Sequence, residues 1–427
     1  MKLFKCFPAL LALTLLSACA QWPATPRAPA TPSGTTQKRP APLILISIDG
    51  FRPDYLARGV TPVLSRLAQQ GALAAQGMRP SFPSLTFPNH YTLVTGLTPD
   101  RHGVINNTMT DEKIPDVLFT LSNRAALADR RWWDGATPLW VSAEQQGLKT
   151  ATMFWPGSET DIQGVRPSDW LTYDHNFPPD ARVDQLLEWL DREPSTRPDF
   201  LTLYFEAVDS AGHRFGPDAA ETTAAVASID QAIGRLIEGL TTRGLLPQTN
   251  LVIVSDHGMA SMSAQRVVLL DEMLAIDSVQ RFLPYGPLQG FTPLAGREAE
   301  VRTRLAQPQQ HVQCWPKAEL PARFDYGKNA RVPPFICLAE IGWALATRES
   351  LLRNPPSGGS HGYDPDEAQM AALFIARGPA FAPGVELPRF ANVDVYALLA
   401  QLLGIKPQAH QGRLDTFKPA RSAQRPD

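Results

Sequence analysis

Residues 43–49 read LILISID, residues 201–209 read LTLYFEAVD and residues 251–256 read LVIVSD. Each is a short, nearly unbroken apolar run that leads into an aspartate: Asp49, Asp209 and Asp256. Runs of this length that do not alternate with polar residues suit strands buried on both faces, as in a parallel sheet covered by helices. Leu43–Ile48, Thr150–Phe154, Phe200–Phe205, Leu251–Ser255 and Ala371–Ala376 are therefore expected as strands. Between them, Val226, Ile229, Ile233, Leu236 and Leu240 recur at spacings of three and four, which lays one apolar stripe along a helix. Val393 to Leu403 reads the same way, with Gly404 as its stop. Strands alternating with helices predict an α/β fold, with a mixed, mostly parallel central sheet and helices on both faces. The weaker, proline-rich pattern over residues 262–350 reads as a smaller inserted cap subdomain.

In an open α/β sheet, ligands bind outside the carboxyl ends of the strands. Three carboxylates at three such ends would face one pocket, and a cation is the simplest compensation for burying them together. Histidines accompany them: Asp209 is followed at four residues by His213, Asp256 directly by His257, and His361 stands in GGSHGY. Mixed Asp and His donors suit zinc, and three carboxylates with three imidazoles exceed one tetrahedral ion, so two metals are expected. Any single Asp-His pair is more often structural. His90 and His102 flank the proposed site and read as supporting or capping residues, whereas His175, His311 and His410 read as surface or loop positions. Glu206 reads as a supporting or loop residue and not as an acid catalyst. For a nucleophile, residues 83–91 (PSLTFPNHY) offer Ser84 and Thr86, and Thr92 follows; metal coordination can activate such a hydroxyl.

The N-terminus speaks to location. Lys2 and Lys5 precede an apolar run from Phe7 to Leu16, too short to span a bilayer as a mature helix. It ends in Leu16-Ser17-Ala18-Cys19, which looks like a bacterial lipobox that makes Cys19 the acylated first residue; the alternative is an ordinary secretory signal with a chance cysteine. Residues 1–18 are then a signal peptide, and 19–42, rich in Pro, Ala and Thr, a tether. The catalytic domain is expected over 43–412 and a flexible tail over 413–427. A periplasmic, lipid-anchored protein, sorted to the outer membrane, or a secreted one, follows, with the anchor as its membrane contact. In an oxidising compartment the remaining pair, Cys314 and Cys337, reads as a disulfide worth about 3 kcal/mol, the alternative being two free buried thiols. The chain has 40 Lys+Arg against 42 Asp+Glu, a formal charge of -2, which leaves no broad basic footprint for duplex nucleic acid.

Taken in order, Asp49-Gly50-Phe51-Arg52, Thr86-Phe87-Pro88-Asn89-His90, Thr95-Gly96, Trp155-Pro156-Gly157, Asp209-x-x-x-His213, Ser255-Asp256-His257-Gly258, Gly342-Trp343 and His361-Gly362-Tyr363 resemble the bacterial nucleotide pyrophosphatase/phosphodiesterase family of the alkaline phosphatase superfamily. The resemblance runs from Leu43 to Gly412. It implies an alkaline-phosphatase-like fold and a two-Zn2+ phosphodiesterase acting on nucleotide phosphodiesters or pyrophosphates. Thr86 would attack phosphorus and become a phosphothreonine. Asp49, Asp256 and His257 would hold one zinc, shared with the Thr86 oxygen, and Asp209, His213 and His361 the other. Asn107 matches a residue that binds a phosphoryl oxygen, with Asn106 as its rival, and Phe87 and Tyr173 match aromatics that sandwich a nucleobase. Sulfatases and phosphomonoesterases of the superfamily are disfavoured, since neither a formylglycine signature nor a basic phosphate clasp is present. A phosphodiesterase for choline-type lipid headgroups, drawing on Trp132, Trp133 and Trp155, stands as the alternative, and a catalytically dead nucleotide-binding lipoprotein as a further one.

Overall fold

The apolar runs build the centre of the molecule. In a computed structural model, which describes residues 40–280 and 285–422, they form one eight-stranded sheet. Its order is Val385–Leu387, Ala72–Ala74, Phe374–Arg377, Asn250–Val254, Leu43–Ile48, Phe200–Phe205, Thr150–Met153 and Asp169–Trp170. The last five strands in this order are mutually parallel. Phe374–Arg377 runs antiparallel to both its neighbours, so the sheet is mixed as expected. Its start is later than the expected Ala371 because Ala372 pairs instead with Met78, and the Leu373 N–H donates to the Ser255 hydroxyl at 2.7 Å.

Side-chain alternation along each strand divides the core in two. Leu43, Leu45, Phe200, Val252 and Val254 face one side, where helices Thr86–Thr95 and Asp394–Leu403 pack. Ile44, Ile46, Ile48, Leu201, Leu203 and Ile253 face the other, against the 23-residue helix Ala220–Thr242. That helix supplies the expected stripe: Val226, Ile229, Ile233, Leu236 and Leu240 are all buried. Each fully buried Leu or Ile contributes roughly 1.5–3 kcal/mol relative to exposure. Gly404 ends the helix Asp394–Leu403 in the left-handed conformation at φ 65°.

Registry sets where these strands stop. Ile48 aligns with Phe205 and Ser47 with Val254, so three strands finish level and the chain leaves all of them at one edge. Residues 267–346 form two small three-stranded sheets over their own apolar cluster, which includes Leu270, Phe291 and Val301. Cys314 and Cys337 sit opposite each other in register there and form a disulfide that ties Val312–Pro316 to Phe335–Ala339.

The expected flexible tail is corrected as far as residue 422. Leu414–Ala420 forms a 3-10 turn, and the fully buried Phe417 ring packs between Phe374 and Phe390 at centroid distances of 5.5 and 5.1 Å. Asp394 holds the segment, accepting from the Arg413 N–H at 2.7 Å and the Thr416 hydroxyl at 2.6 Å. The signal segment, Cys19, the tether up to residue 39, and residues 423–427 lie outside the described residues. Among the described residues, no helix is long and apolar enough to cross a membrane.

Phe417→Ala is expected to lower the free energy of unfolding by about 3–5 kcal/mol in urea titrations, the usual cost of emptying a buried aromatic site. A tail outside the core would leave the midpoint unchanged.

Candidate active site

Asp49 directly follows its strand, Asp256 follows the adjacent parallel strand after Ser255, and Asp209 follows the third by one turn. Gly50, at φ +68°, lets these segments converge, because a side chain there would come within 3.1 Å of the Asp209 backbone. Asp209 and His213 lie four apart on the helix Ala207–Phe215, hence on one face, with His213 Nε2 3.4 Å from Asp209 Oδ2. His361 enters from the loop after Gly359–Ser360.

The hydrogen-bond partners of these groups orient them inward. His213 Nδ1 donates to Gly359 O, His257 Nδ1 to Gly258 O and His361 Nδ1 to Ser84 O, each at 2.9 Å. A carbonyl only accepts, so each ring carries a proton on Nδ1 and turns Nε2 towards the centre, where His257 Nε2 lies 2.8 Å from Asp256 Oδ2. His213 Nε2 and His361 Nε2 stand 3.1 Å apart. The carboxylates are arranged in the same way. Asp49 Oδ2 accepts from the Tyr204 hydroxyl at 2.7 Å and Asp256 Oδ1 from the Gly50 N–H at 3.2 Å. Asp49 Oδ1 and Asp209 Oδ1 are buried without a hydrogen bond, and Asp256 Oδ2 faces His257 Nε2 at 2.8 Å and His90 Nδ1 at 3.4 Å. This is a donor set that could hold a metal, with its candidate ligands braced from behind.

Two groupings bring ligand atoms within 4.8 Å of one another: Asp49, Asp256 and His257, and Asp209, His257 and His361. His257 thus stands between the two carboxylate groups, a position that motif order did not reveal. Among the protein groups themselves, burial and then the neighbouring Asp256 and Asp209 push the Asp49 carboxyl well above its usual range. Burial opposes ionisation of Asp256 as well, but His257 and His90 outweigh it and hold that carboxyl below its usual range. Burial, with His257 and His213 beside it, pushes His361 well below the ordinary imidazole value, which keeps it neutral and able to ligate.

Thr86 opens the helix Thr86–Thr95, which has no side-chain cap, and its Oγ1 lies 3.3 Å from His257 Nε2. A helix N-terminus favours anions through its exposed N–H groups and dipole. Asn107 accepts the Phe87 N–H at 2.9 Å, which fixes its carboxamide beside this end; its neighbour Asn106 instead caps a turn by accepting the Thr108 N–H at 3.1 Å. Ser84, another candidate hydroxyl, is buried and donates to Tyr363 O, and Thr92 donates to Pro88 O. Thr86, Phe87, Asp49 and Asp209 line one pocket with Tyr173, Trp133 and Trp155. Trp132 is buried under Arg331 and does not line it.

His90 is more central than the sequence suggested. It is fully buried, with Nδ1 2.9 Å from Thr86 O and Nε2 2.8 Å from Ser47 Oγ. His102 bonds Thr92 and Pro88 in the interior. His311 stacks on Trp343, His410 packs on Tyr396 and His175 is 66% exposed. Glu206 begins the Asp209 helix and forms a bidentate pair with buried Arg182, at 2.5 and 2.9 Å.

Fold and site together define an alkaline-phosphatase-like α/β hydrolase with candidate metal-binding residues at its strand ends. Residues 43–364 match the family model described as Type I phosphodiesterase / nucleotide pyrophosphatase. An uncharacterized pyrophosphatase/phosphodiesterase of Schizosaccharomyces pombe is 37% identical over 395 residues, covering 89% of this chain and 80% of the relative. Ectonucleotide pyrophosphatase/phosphodiesterase family member 1 of Mus musculus is 36% identical over 394 residues, 90% of this chain, and this chain spans 43% of its length. Venom phosphodiesterase CdcPDE of Crotalus durissus collilineatus is 36% identical over 392 residues, covering 89% of this chain and 46% of its own. The solved structure of human ectonucleotide pyrophosphatase / phosphodiesterase 5 superposes with a TM-score of 0.84 at 31% identity, over 90% of this chain and 100% of that one. The murine counterpart, an inactive variant in complex with AMP, gives 0.84 at 31%, over 89% and 100%. The chain belongs to the type I phosphodiesterase / nucleotide pyrophosphatase family.

Tyr204 was not legible as a site residue, since a tyrosine inside a strand reads as core. Tyr204→Phe is expected to weaken metal affinity about 10–100-fold, the usual cost of losing a partner behind a ligand. Chelator competition on the folded variant measures it.

Proposed function

We propose that the protein hydrolyses nucleotide phosphodiester or pyrophosphate bonds to nucleoside monophosphates, using two Zn2+ and a phosphothreonine formed on Thr86. The observation that carries this is the position of the Thr86 hydroxyl. It sits at a helix N-terminus, 3.3 Å from His257 Nε2, in the pocket that Asp49, Asp209, Phe87 and Tyr173 also line. Asp49, Asp256 and His257 would hold one zinc, and Asp209, His213 and His361 the other. Bound there, the ions would supply positive charge that eases loss of a proton from a hydroxyl or water and neutralises the phosphoryl oxygens.

The residues of the chain do the rest by positioning. Phe87 and Tyr173 would hold a nucleobase, with stacking worth roughly 1–3 kcal/mol per base. The Asn107 oxygen is taken by the Phe87 N–H, which leaves its NH2 group to donate to a phosphoryl oxygen. Thr86 Oγ bonds to phosphorus as the bond to the leaving oxygen breaks; the threonine proton is lost and the leaving group takes one up. Water then attacks the phosphothreonine, the P–Oγ bond breaks, Thr86 regains a proton and the nucleoside monophosphate departs. The AMP complex of the murine relative supports such a product. Glu159, the carboxylate at the aromatic end of the pocket, already receives the Tyr173 N–H at 2.9 Å and pairs with Arg124, which supports a nucleobase there over a choline cation.

Hydrolysis of a nucleotide p-nitrophenyl phosphodiester should exceed that of the matching monoester. It should fall at least about a thousandfold in Thr86→Ala, as removal of a nucleophile does, and be lost after EDTA and restored by zinc. Monoester preference, or activity that survives Thr86→Ala, would refute the assignment.

The reading extends to location and source. Lys2, Lys5, the apolar run and Leu16-Ser17-Ala18-Cys19 support a bacterial lipoprotein, acylated at Cys19 and held at the periplasmic face of the outer membrane. Cys19→Ser should move the protein from the membrane fraction to the soluble one, because lipid supplies the membrane affinity. Retention in membranes would count against the anchor.

A further inference from the structure

Among the described residues, Arg182 is the one lysine or arginine that is buried, at 1% exposure. It stands in the first turn of the helix Pro179–Leu190, and its guanidinium reaches three segments of the chain. Nε donates to Phe177 O at 2.9 Å, in the loop that carries Tyr173. Nη1 donates to Tyr204 O at 2.8 Å and to Glu206 Oε2 at 2.5 Å, and Nη2 donates to Glu206 Oε1 at 2.9 Å. The guanidinium carbon lies 5.2 Å from the centre of the Phe154 ring.

On one side of Arg182 is the frame of the reacting centre. Tyr204 belongs to the strand Phe200–Phe205, and its hydroxyl holds Asp49. Glu206 begins the helix of Asp209 and His213, where its carbonyl accepts the Ser210 N–H at 3.0 Å. On the other side is the nucleobase pocket. Phe154 and Tyr173 both line it, their rings meeting edge-on at 5.2 Å, and Tyr173 stands 6.1 Å from the Tyr204 ring. The loop between the strand Asp169–Trp170 and Pro179 has no helix or strand of its own. Its outer ties, Arg124 to Tyr173 O and the Tyr173 N–H to Glu159, involve a half-exposed arginine. The buried tie is Arg182 on Phe177 O, and His175 of the same loop adds a contact of 3.4 Å to Glu206 Oε1.

A buried ion pair contributes little net stability, and apolar residues of similar volume often serve as well. What they cannot supply is direction. A guanidinium is a rigid, planar fork of five N–H donors, so its bonds to Phe177, Tyr204 and Glu206 fix those three segments relative to one another. An aromatic clamp aids catalysis only where it holds the base so that phosphorus meets the attacking oxygen, and a misplacement of about 1 Å can cost about a hundredfold.

We propose that Arg182, locked by Glu206, is a positioning residue that fixes the Tyr173 side of the nucleobase pocket to the frame carrying Asp49 and Asp209. Binding energy from the nucleoside is thereby directed to the phosphorus. Neither Arg182 nor Glu206 lines the pocket or belongs to the groupings of candidate metal ligands, so the pair acts through Tyr173 and Phe154. The inference rests on the phosphodiesterase reading above.

The test compares two diesters with one leaving group: a nucleoside 5′-p-nitrophenyl phosphate, and methyl p-nitrophenyl phosphate, which has no base to hold. Arg182→Lys keeps a charge opposite Glu206 but lacks the fork, and Glu206→Gln keeps the size and one acceptor oxygen, so the buried site is not left with an unpaired arginine-sized gap. Arg182→Lys should lower kcat/KM about tenfold or more on the nucleoside diester and less than about threefold on the methyl diester, since remote binding energy is what it forfeits. Glu206→Gln should show the same selectivity with a smaller loss. AMP should bind Arg182→Lys about tenfold more weakly, as a displaced stacking partner predicts, while inhibition by inorganic phosphate stays the same. Equal losses on the two diesters, or none on either, overturn the positioning role and leave the phosphodiesterase intact. Loss of bound zinc from the folded variants assigns the pair to the metal-bearing helix and overturns it too. Wild-type protein inactive on both diesters overturns the functional reading and the positioning role together.

Discussion

Two buried carboxylates, Asp49 and Asp256, and a half-buried third, Asp209, around a shared centre govern the rest of this structure. Ionised carboxylates in such a place are tolerable only with compensating charge, because desolvation costs several kcal/mol per ion and like charges add repulsion. The protein does not relieve that tension with lysine or arginine. It holds one oxygen of Asp49 with Tyr204 and one of Asp256 with the Gly50 N–H, turns the other Asp256 oxygen to His257 Nε2 at 2.8 Å, and leaves Asp49 Oδ1 and Asp209 Oδ1 without a hydrogen bond. Three imidazoles spend their Nδ1 protons on backbone carbonyls and turn Nε2 to the same space. Such an arrangement, braced from behind and rich in donor atoms at its centre, suits a cation.

The sheet makes that arrangement reproducible. Level strand ends deliver Asp49, Asp209 and Asp256 to one edge, and the absence of a side chain at Gly50 lets them meet. The helix that Thr86 opens is fastened to the same central strand. Ser47, which interrupts the apolar run of that strand, bonds His90, His90 bonds Thr86 O, and Trp155 donates to His90 O at 3.0 Å. Thr86 is thereby located relative to the carboxylates through a chain of buried polar contacts, which low dielectric strengthens. Family membership and an AMP-bound relative agree with the chemistry that this geometry suits.

Much of this was legible in the residue order because the informative signals are local. Unbroken apolar runs ending in aspartate announce buried parallel strands with acids at their carboxyl ends, and a stripe at three- and four-residue spacing announces a covering helix. The Cys314–Cys337 bridge was legible for a similar reason, since two cysteines remain once the N-terminal pair is set aside. Elements with weak local signals were misread or missed. One phenylalanine in residues 413–422 does not look like core, yet Phe417 fills a gap between Phe374 and Phe390.

By itself, then, the sequence determined the fold class, the strands that carry the acids, the family and the set of side chains available for chemistry. These follow from periodicity and from motifs a few residues long, which physical neighbours along the chain are enough to define. Tertiary structure alone decided that His257 stands between both carboxylate groups, that Asn107 and not Asn106 sits at the Thr86 helix, and that Tyr204 braces Asp49. Each of these depends on contacts between residues 20 to more than 150 positions apart, and such contacts exist only after strand register and helix packing have brought distant segments together.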